Sequence, residues 1–123
     1  MMRILLADHH TQSLWALKTT LQEQAEFEVV GDATDADTLL SLAKEHLPDL
    51  ILLDWELPGK PIEELIADLR SLESKPVVVV MGSKPEYGRQ MLKAGADAFT
   101  SKVDQPDWLL ATLKKFDRNP RQT

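Results

Sequence analysis

Two short stretches of this chain, "LILL" at 50–53 and "VVVV" at 77–80, are apolar at every position. A strand with one wet face alternates apolar and polar residues, so such runs mark strands covered on both faces. Both are far too short to span a bilayer. The segments between the apolar runs follow the helical period instead. From about Thr11, Leu14, Leu17 and Leu21 share one helical face. Ala36, Leu39, Leu40, Ala43 and Leu47 recur at i, i+3, i+4, i+7 and i+11, until Pro48, which cannot continue a helix. Ile62, Leu65, Ile66 and Leu69 form a third stripe.

Three further strands complete the alternation. Arg3 to Ala7 is apolar apart from its first residue and ends at Asp8. Phe27 to Val30 is closed by Gly31, and Asp97 to Ser101 reads as a fifth strand. Ser83 and Glu86 have capping-box spacing, with Pro85 in the first turn. Tyr87, Met91 and Ala94 share one face of the helix they open, and Gly95 stops it. Asp104 is a candidate cap for a last helix carrying Leu109, Leu113 and Phe116. The polar end, "DRNPRQT", is expected to fray. Strands alternating with helices in this way predict a parallel sheet with helices on both faces, linked by right-handed crossovers.

A length of 123 residues fits one such domain. The net charge of -6, with no Lys/Arg cluster, argues against direct nucleic-acid binding. The absence of cysteine excludes disulfides, thiolate catalysis and Cys-based zinc sites. "MMRILLADHH" reaches an acid too early to be a secretory signal, so the cytoplasm is the expected compartment, with no membrane partner.

Ligands of an open parallel sheet bind beyond the carboxyl ends of its strands. Those ends carry Asp8, His9 and His10; Asp54, Trp55 and Glu56; Met81, Gly82 and Ser83; and Lys102. If the first and third strands are neighbours, Asp8, His9 and Asp54 converge, and Lys102 approaches from the other side. Paired carboxylates with an ammonium suit a hard cation and a phosphoryl group. Each acid alone reads as a turn former or helix cap, and Lys102 alone as a solvated charge. Together, each at a strand's carboxyl end, they read as a site. His9 and His10 are adjacent in what reads as extended chain, so at most one is expected to face the cleft. Trp55 reads as a packing residue.

The segments "RILLADHH", "PDLILLDWELPG", "KPVVVVMGSKPE" and "KAGADAFTSK" resemble, in order and spacing, bacterial two-component receiver domains. The resemblance covers about residues 2 to 117. The "DHH" start and "GSKPE" are most similar to receivers that precede a LuxR-type DNA-binding domain; no such domain is contained in the 123 residues. It implies a flavodoxin-like (βα)5 fold with strand order 2-1-3-4-5, a receiver over 1–117 and a polar tail over 118–123. It also implies that Asp54 accepts a phosphoryl group from a histidine kinase or phosphotransfer protein. Asp8, Asp54 and the backbone carbonyl of Glu56 would hold Mg²⁺, Lys102 would contact the phosphoryl oxygens, and Phe99 would be the switch aromatic. Output would run through the face of the fourth helix, fifth strand and fifth helix, by a homodimer or a downstream protein, with Trp108 near the start of the last helix.

Two positions depart from the family pattern. His9 stands where a second acid is usual, and Met81 where a Thr or Ser usually ends the fourth strand. Imidazole is a poor ligand for Mg²⁺, and a thioether cannot donate a hydrogen bond. Weak Mg²⁺ binding is therefore expected. Ser83 is expected to cap rather than substitute for the missing hydroxyl. The resemblance implies a signalling module and not an enzyme. Its direct rival is a degenerate receiver that binds partners independently of phosphate. A haloacid-dehalogenase-type hydrolase would want a D-x-D pair and a cap domain, whereas Asp54 is followed by Trp and Glu. Cobalamin-binding domains share the D-x-H of Asp8 and His10, but want Gly where Ser13 stands. Neither G-x-G-x-x-G nor a P-loop occurs.

Overall fold

The computed structural model describes residues 1–101 and 106–116, with the side chains of 106–108 left aside. Five strands, β1 (Met2–Ala7), β2 (Phe27–Ala33), β3 (Leu50–Asp54), β4 (Val77–Gly82) and β5 (Ala98–Ser101), alternate with five α-helices. The helices are α1 (Thr11–Gln22), α2 (Ala36–His46), α3 (Ile62–Arg70), α4 (Gly88–Lys93) and α5 (Pro106–Lys114). All neighbouring strands are parallel, in the order β2-β1-β3-β4-β5. This is the flavodoxin-like order expected.

The two all-apolar runs are the two strands buried at every position. Each lies inside the sheet with a helical layer on either side, which leaves no position for a polar side chain until the carboxyl end, where Asp54 closes β3. Leu39, Ala43, Leu65, Ile66 and Met91 of α2, α3 and α4 pack on one face, with Leu5, Ile51, Leu53, Val78 and Val80. Leu14 and Leu21 of α1, with Leu109 and Leu113 of α5, pack on the other, with Ile4, Leu6, Leu52 and Val79. The edge strands β2 and β5 are only partly covered.

Three local readings change. β2 does not stop at Gly31 but runs on to Ala33, because its register against β1 shifts between Ile4 and Leu5. Gly31 sits at that irregularity, where a Cβ would lie 3.1 Å from Leu5 Cδ1; it marks a close approach inside a strand rather than its end. Leu47 does not extend the stripe of α2. It takes the left-handed conformation (φ 48°) that ends the helix, and it is exposed. Ser83 and Glu86 form no capping box: a 3₁₀ turn at Pro85–Tyr87 is entered from Lys84 without a side-chain cap and leads into α4. The turn begins one residue later than a Ser83 cap requires, with Lys84 as its N-cap residue and Pro85 fixing φ in its first turn. Asp104 and residues 118–123 lie outside the described residues. No helix among the described residues is long and apolar enough to cross a membrane.

Candidate functional site

Ala7 pairs with Leu53 across β1 and β3, so the next residues, Asp8 and Asp54, emerge side by side at the carboxyl ends of the two strands. Both are fully buried. Backbone amides orient the two carboxylates. Asp8 Oδ1 accepts from the His10 N–H at 2.9 Å, and Asp54 Oδ1 accepts from the Glu56 N–H at 3.2 Å. Trp55 N–H donates to the Met81 carbonyl at 2.9 Å, which ties the turn after β3 to the end of β4. Trp55 stacks on Tyr87 with ring centroids 4.1 Å apart. It also packs against the core cluster of α2, α3 and α4, in keeping with a packing role, while its buried Nε1 finds no acceptor among the described residues.

His9 lies directly on this pair. Its Nδ1 hydrogen-bonds Asp54 Oδ2 and lies 3.9 Å from Asp8 Oδ1. His10 does not point away from it, contrary to expectation. The rings of His9 and His10 are 3.8 Å apart, tilted by 47°, and His10 Nδ1 is 3.8 Å from Asp8 Oδ1. The two-residue alternation fails because β1 has already ended at Ala7: His9 sits in a bend and His10 is the N-cap residue of α1. One ligand atom from each of Asp8, His9, His10 and Asp54 lies within 4.8 Å of all the others. The strand-and-helix boundary near Thr11 was the available signal that the segment is not extended.

The other expected residues are placed as follows. Met81 is buried and pairs in register with Asp54 on one side and Thr100 on the other. It packs in the apolar cluster under α1 and α5, so no hydroxyl stands at this position. Ser83 is exposed. Phe99 is half-buried over two glycines, Gly82 and Gly88, whose role as space for its ring sequence reasoning did not show. A Cβ on Gly82 would lie 2.8 Å from its ring, and one on Gly88 3.1 Å. The backbone amide of Glu56 is the group seen to touch Asp54, and its side chain is exposed. Lys102 lies outside the described residues, as does the Trp108 side chain.

The donor chemistry fits Mg²⁺ poorly. A small hard cation wants oxygen ligands in octahedral array. Here an imidazole nitrogen occupies the Asp54 oxygen that faces the cluster.

Beside the edge strand, a groove of about 610 Å³ runs between β5 and α5, lined by Pro85, Phe99, Thr112, Lys115 and Phe116 among others. It lies on the face expected for output.

Residues 4–114 match the family described as the response regulator receiver domain. The chain is 30% identical over 122 residues to the transcriptional regulatory protein DesR of Bacillus subtilis, covering 99% of this chain and 61% of that protein. It is 35% identical over 112 residues to the nitrate/nitrite response regulator NarL of Escherichia coli, covering 89% of this chain and 52% of that protein. It thus spans little more than half the length of such relatives. Among solved structures, the NarL signal receiver domain of Mycobacterium tuberculosis superposes with a TM-score of 0.83 at 30% identity, covering 94% of this chain and 95% of that one. A CheY-like receiver of Methanospirillum hungatei gives 0.82 at 28%, over 100% and 99%. With strand order, buried acid pair and sequence in agreement, the chain belongs to the receiver domain family of two-component response regulators.

Proposed function

We propose that this receiver accepts a phosphoryl group on Asp54 from a histidine kinase or phosphotransfer protein, slowly, and signals by protein contact rather than by catalysis, in the cytoplasm. In the transfer, the P–N bond of a donor phosphohistidine breaks, an Asp54 carboxylate oxygen forms the new P–O bond, and the histidine leaves neutral once it is protonated. The observation that carries this reading is the adjacency of Asp8 and Asp54, both buried and both held by backbone amides at neighbouring strand ends. Lys102 is assigned the contact to the phosphoryl oxygens by its place just after β5. Asp8, Asp54 and the Glu56 carbonyl are the residues that would hold Mg²⁺, whose chemistry is to neutralise charge on the phosphoryl oxygens. They are expected to hold it weakly.

Slowness follows from His9 and Met81. Asp54 exposes no surface, and its Oδ2 is already engaged by His9, so a phosphodonor must first displace that imidazole. Without a hydroxyl at Met81, the phosphoryl group lacks a hydrogen-bond donor linking it to Phe99. The groove beside Phe99 and Phe116 supports the output face, and we assign it to a weak homodimer.

The same His9–Asp54 contact favours a second reading, a receiver that binds its partner irrespective of phosphate. Intact-mass measurement after incubation with a phosphorylated kinase decides between them. The first reading expects one phosphoryl adduct on the natural chain and none on Asp54→Ala. No adduct at any donor concentration leaves the second.

A further inference from the structure

The misfit with Mg²⁺ points to a different cation. We propose that Asp8, His9, His10 and Asp54 form a mixed imidazole–carboxylate site for a borderline divalent transition metal such as Zn²⁺, in place of the family's oxygen-only site. The inference goes beyond phosphotransfer and does not depend on it.

The donor set is two nitrogens and two oxygens, one from each residue, all within 4.8 Å of one another. Zn–N and Zn–O bonds of about 2.0–2.2 Å place the ligands of a tetrahedron roughly 3.4 Å apart. His9 Nδ1 and His10 Nδ1 lie 3.9 and 3.8 Å from Asp8 Oδ1, so closing the site requires about half an ångström there. The His9–Asp54 hydrogen bond already aims a nitrogen and an oxygen at each other, and the two atoms would have to move apart for a cation to replace the proton between them. The Glu56 amide holds Asp54 by the oxygen turned away from His9, and the His10 amide holds Asp8 by Oδ1 itself, much as outer-shell groups orient ligands in metal centres. Imidazole and carboxylate ligands suit Zn²⁺, Co²⁺ or Ni²⁺, whereas Mg²⁺ takes oxygen almost alone. The buried acids and the partly exposed His9 give the site a dry floor and an open mouth.

Calorimetric titration of the metal-free chain with ZnCl₂ and separately with MgCl₂ tests this. One equivalent of Zn²⁺ should bind roughly 100-fold or more tightly than Mg²⁺. Co²⁺ should give the intense visible absorption of a tetrahedral site. Losing a direct ligand should cost at least the roughly tenfold that an outer-shell loss costs, so His9→Ala and His10→Ala should each weaken Zn²⁺ by that much. The third histidine, His46, sits far along the chain at the end of α2, and His46→Ala should change nothing. Zn²⁺ no tighter than Mg²⁺, undiminished binding in the His9 and His10 variants, or loss on His46→Ala would overturn the site. If His9→Ala fails to fold, His10→Ala decides alone, because that side chain is exposed and makes no capping bond. Binding is read directly, so a chain that takes Zn²⁺ but no phosphoryl group upholds this site and counts only against the phosphotransfer reading.

Discussion

His9 is the residue on which both proposals turn, because its imidazole contacts the Asp54 oxygen that a cation or a phosphodonor would have to reach. Replacing it with Asp, and Met81 with Thr, supplies the missing oxygen ligand and the missing hydroxyl. His9→Asp with Met81→Thr should tighten Mg²⁺ by about tenfold or more and speed phosphorylation by a small phosphodonor such as acetyl phosphate. Trp55 fluorescence, beside the acceptor, reports the Mg²⁺ titration. Unchanged affinity would show that these two positions do not limit the site. At this scale the sequence was informative about the carboxylates and poor about the histidines. Asp8 and Asp54 could be placed because strand ends are legible from apolar runs. His10 was misplaced because its direction depends on a bend of a few residues, where neither period holds. The role of Gly82 and Gly88 is hidden for a related reason: it is to leave room for Phe99, and room carries no sequence signal.

At the scale of elements, two devices can be tested. Asp35 caps α2, its Oδ1 accepting from the Thr38 N–H at 2.8 Å and its Oδ2 from the Thr38 hydroxyl at 3.0 Å. The Thr38 amide, and next its hydroxyl, hold the Asp35 carboxyl below its ordinary value of 3.8. A lowered folded-state value means that the cap stabilises above the ordinary pKa and is lost as pH falls through the shifted one. Asp35→Ala should therefore lower Tm at pH 7, and the gap to the parent chain should close as pH falls through the lowered carboxyl value. A gap that persists in acid would mean that the cap acts through something other than the carboxylate. The second device is the glycine slot. A methyl at Gly82 meets the Phe99 ring at 2.8 Å and Trp55 Cδ1 at 3.1 Å. Gly82→Ala should cost roughly 1–3 kcal/mol by overpacking, measured by urea denaturation, and should turn Phe99 outward, read from its aromatic proton shifts. Periodicity revealed α1, α2 and α3 well. It misjudged the start of α4, where Pro85 gives a 3₁₀ turn and only six helical residues follow.

At the scale of the whole molecule, the fold was legible because residues 50–53 and 77–80 of two inner strands are apolar on both faces. Strand order is less local, and the resemblance supplied it. Leu52 lies in the middle of β3 with no exposure. Leu52→Ala should cost roughly 2–5 kcal/mol, seen in the urea midpoint with the slope preserved. The β5–α5 groove makes a separate prediction. If a weak homodimer forms there, Phe116→Ala should raise its dissociation constant roughly tenfold in sedimentation equilibrium, run well below the Tm of both chains because Phe116 also packs on the core. Unaltered association would move the dimer, if one forms, to another face.

The pairing of Ala7 with Leu53 has a dynamic consequence. Asp8 follows directly on β1 and Asp54 is the last residue of β3, strands whose amides are bonded within the middle of the sheet, so that part of the site should open only when the whole domain does. His9 and His10 hang on the bend before α1 and can move by local opening. The site is thus a vice with one fixed jaw and one hinged jaw. Amide exchange at Leu52 and Leu53 should track global unfolding, whereas exchange at His9 should be faster and should slow when a cation closes the jaws.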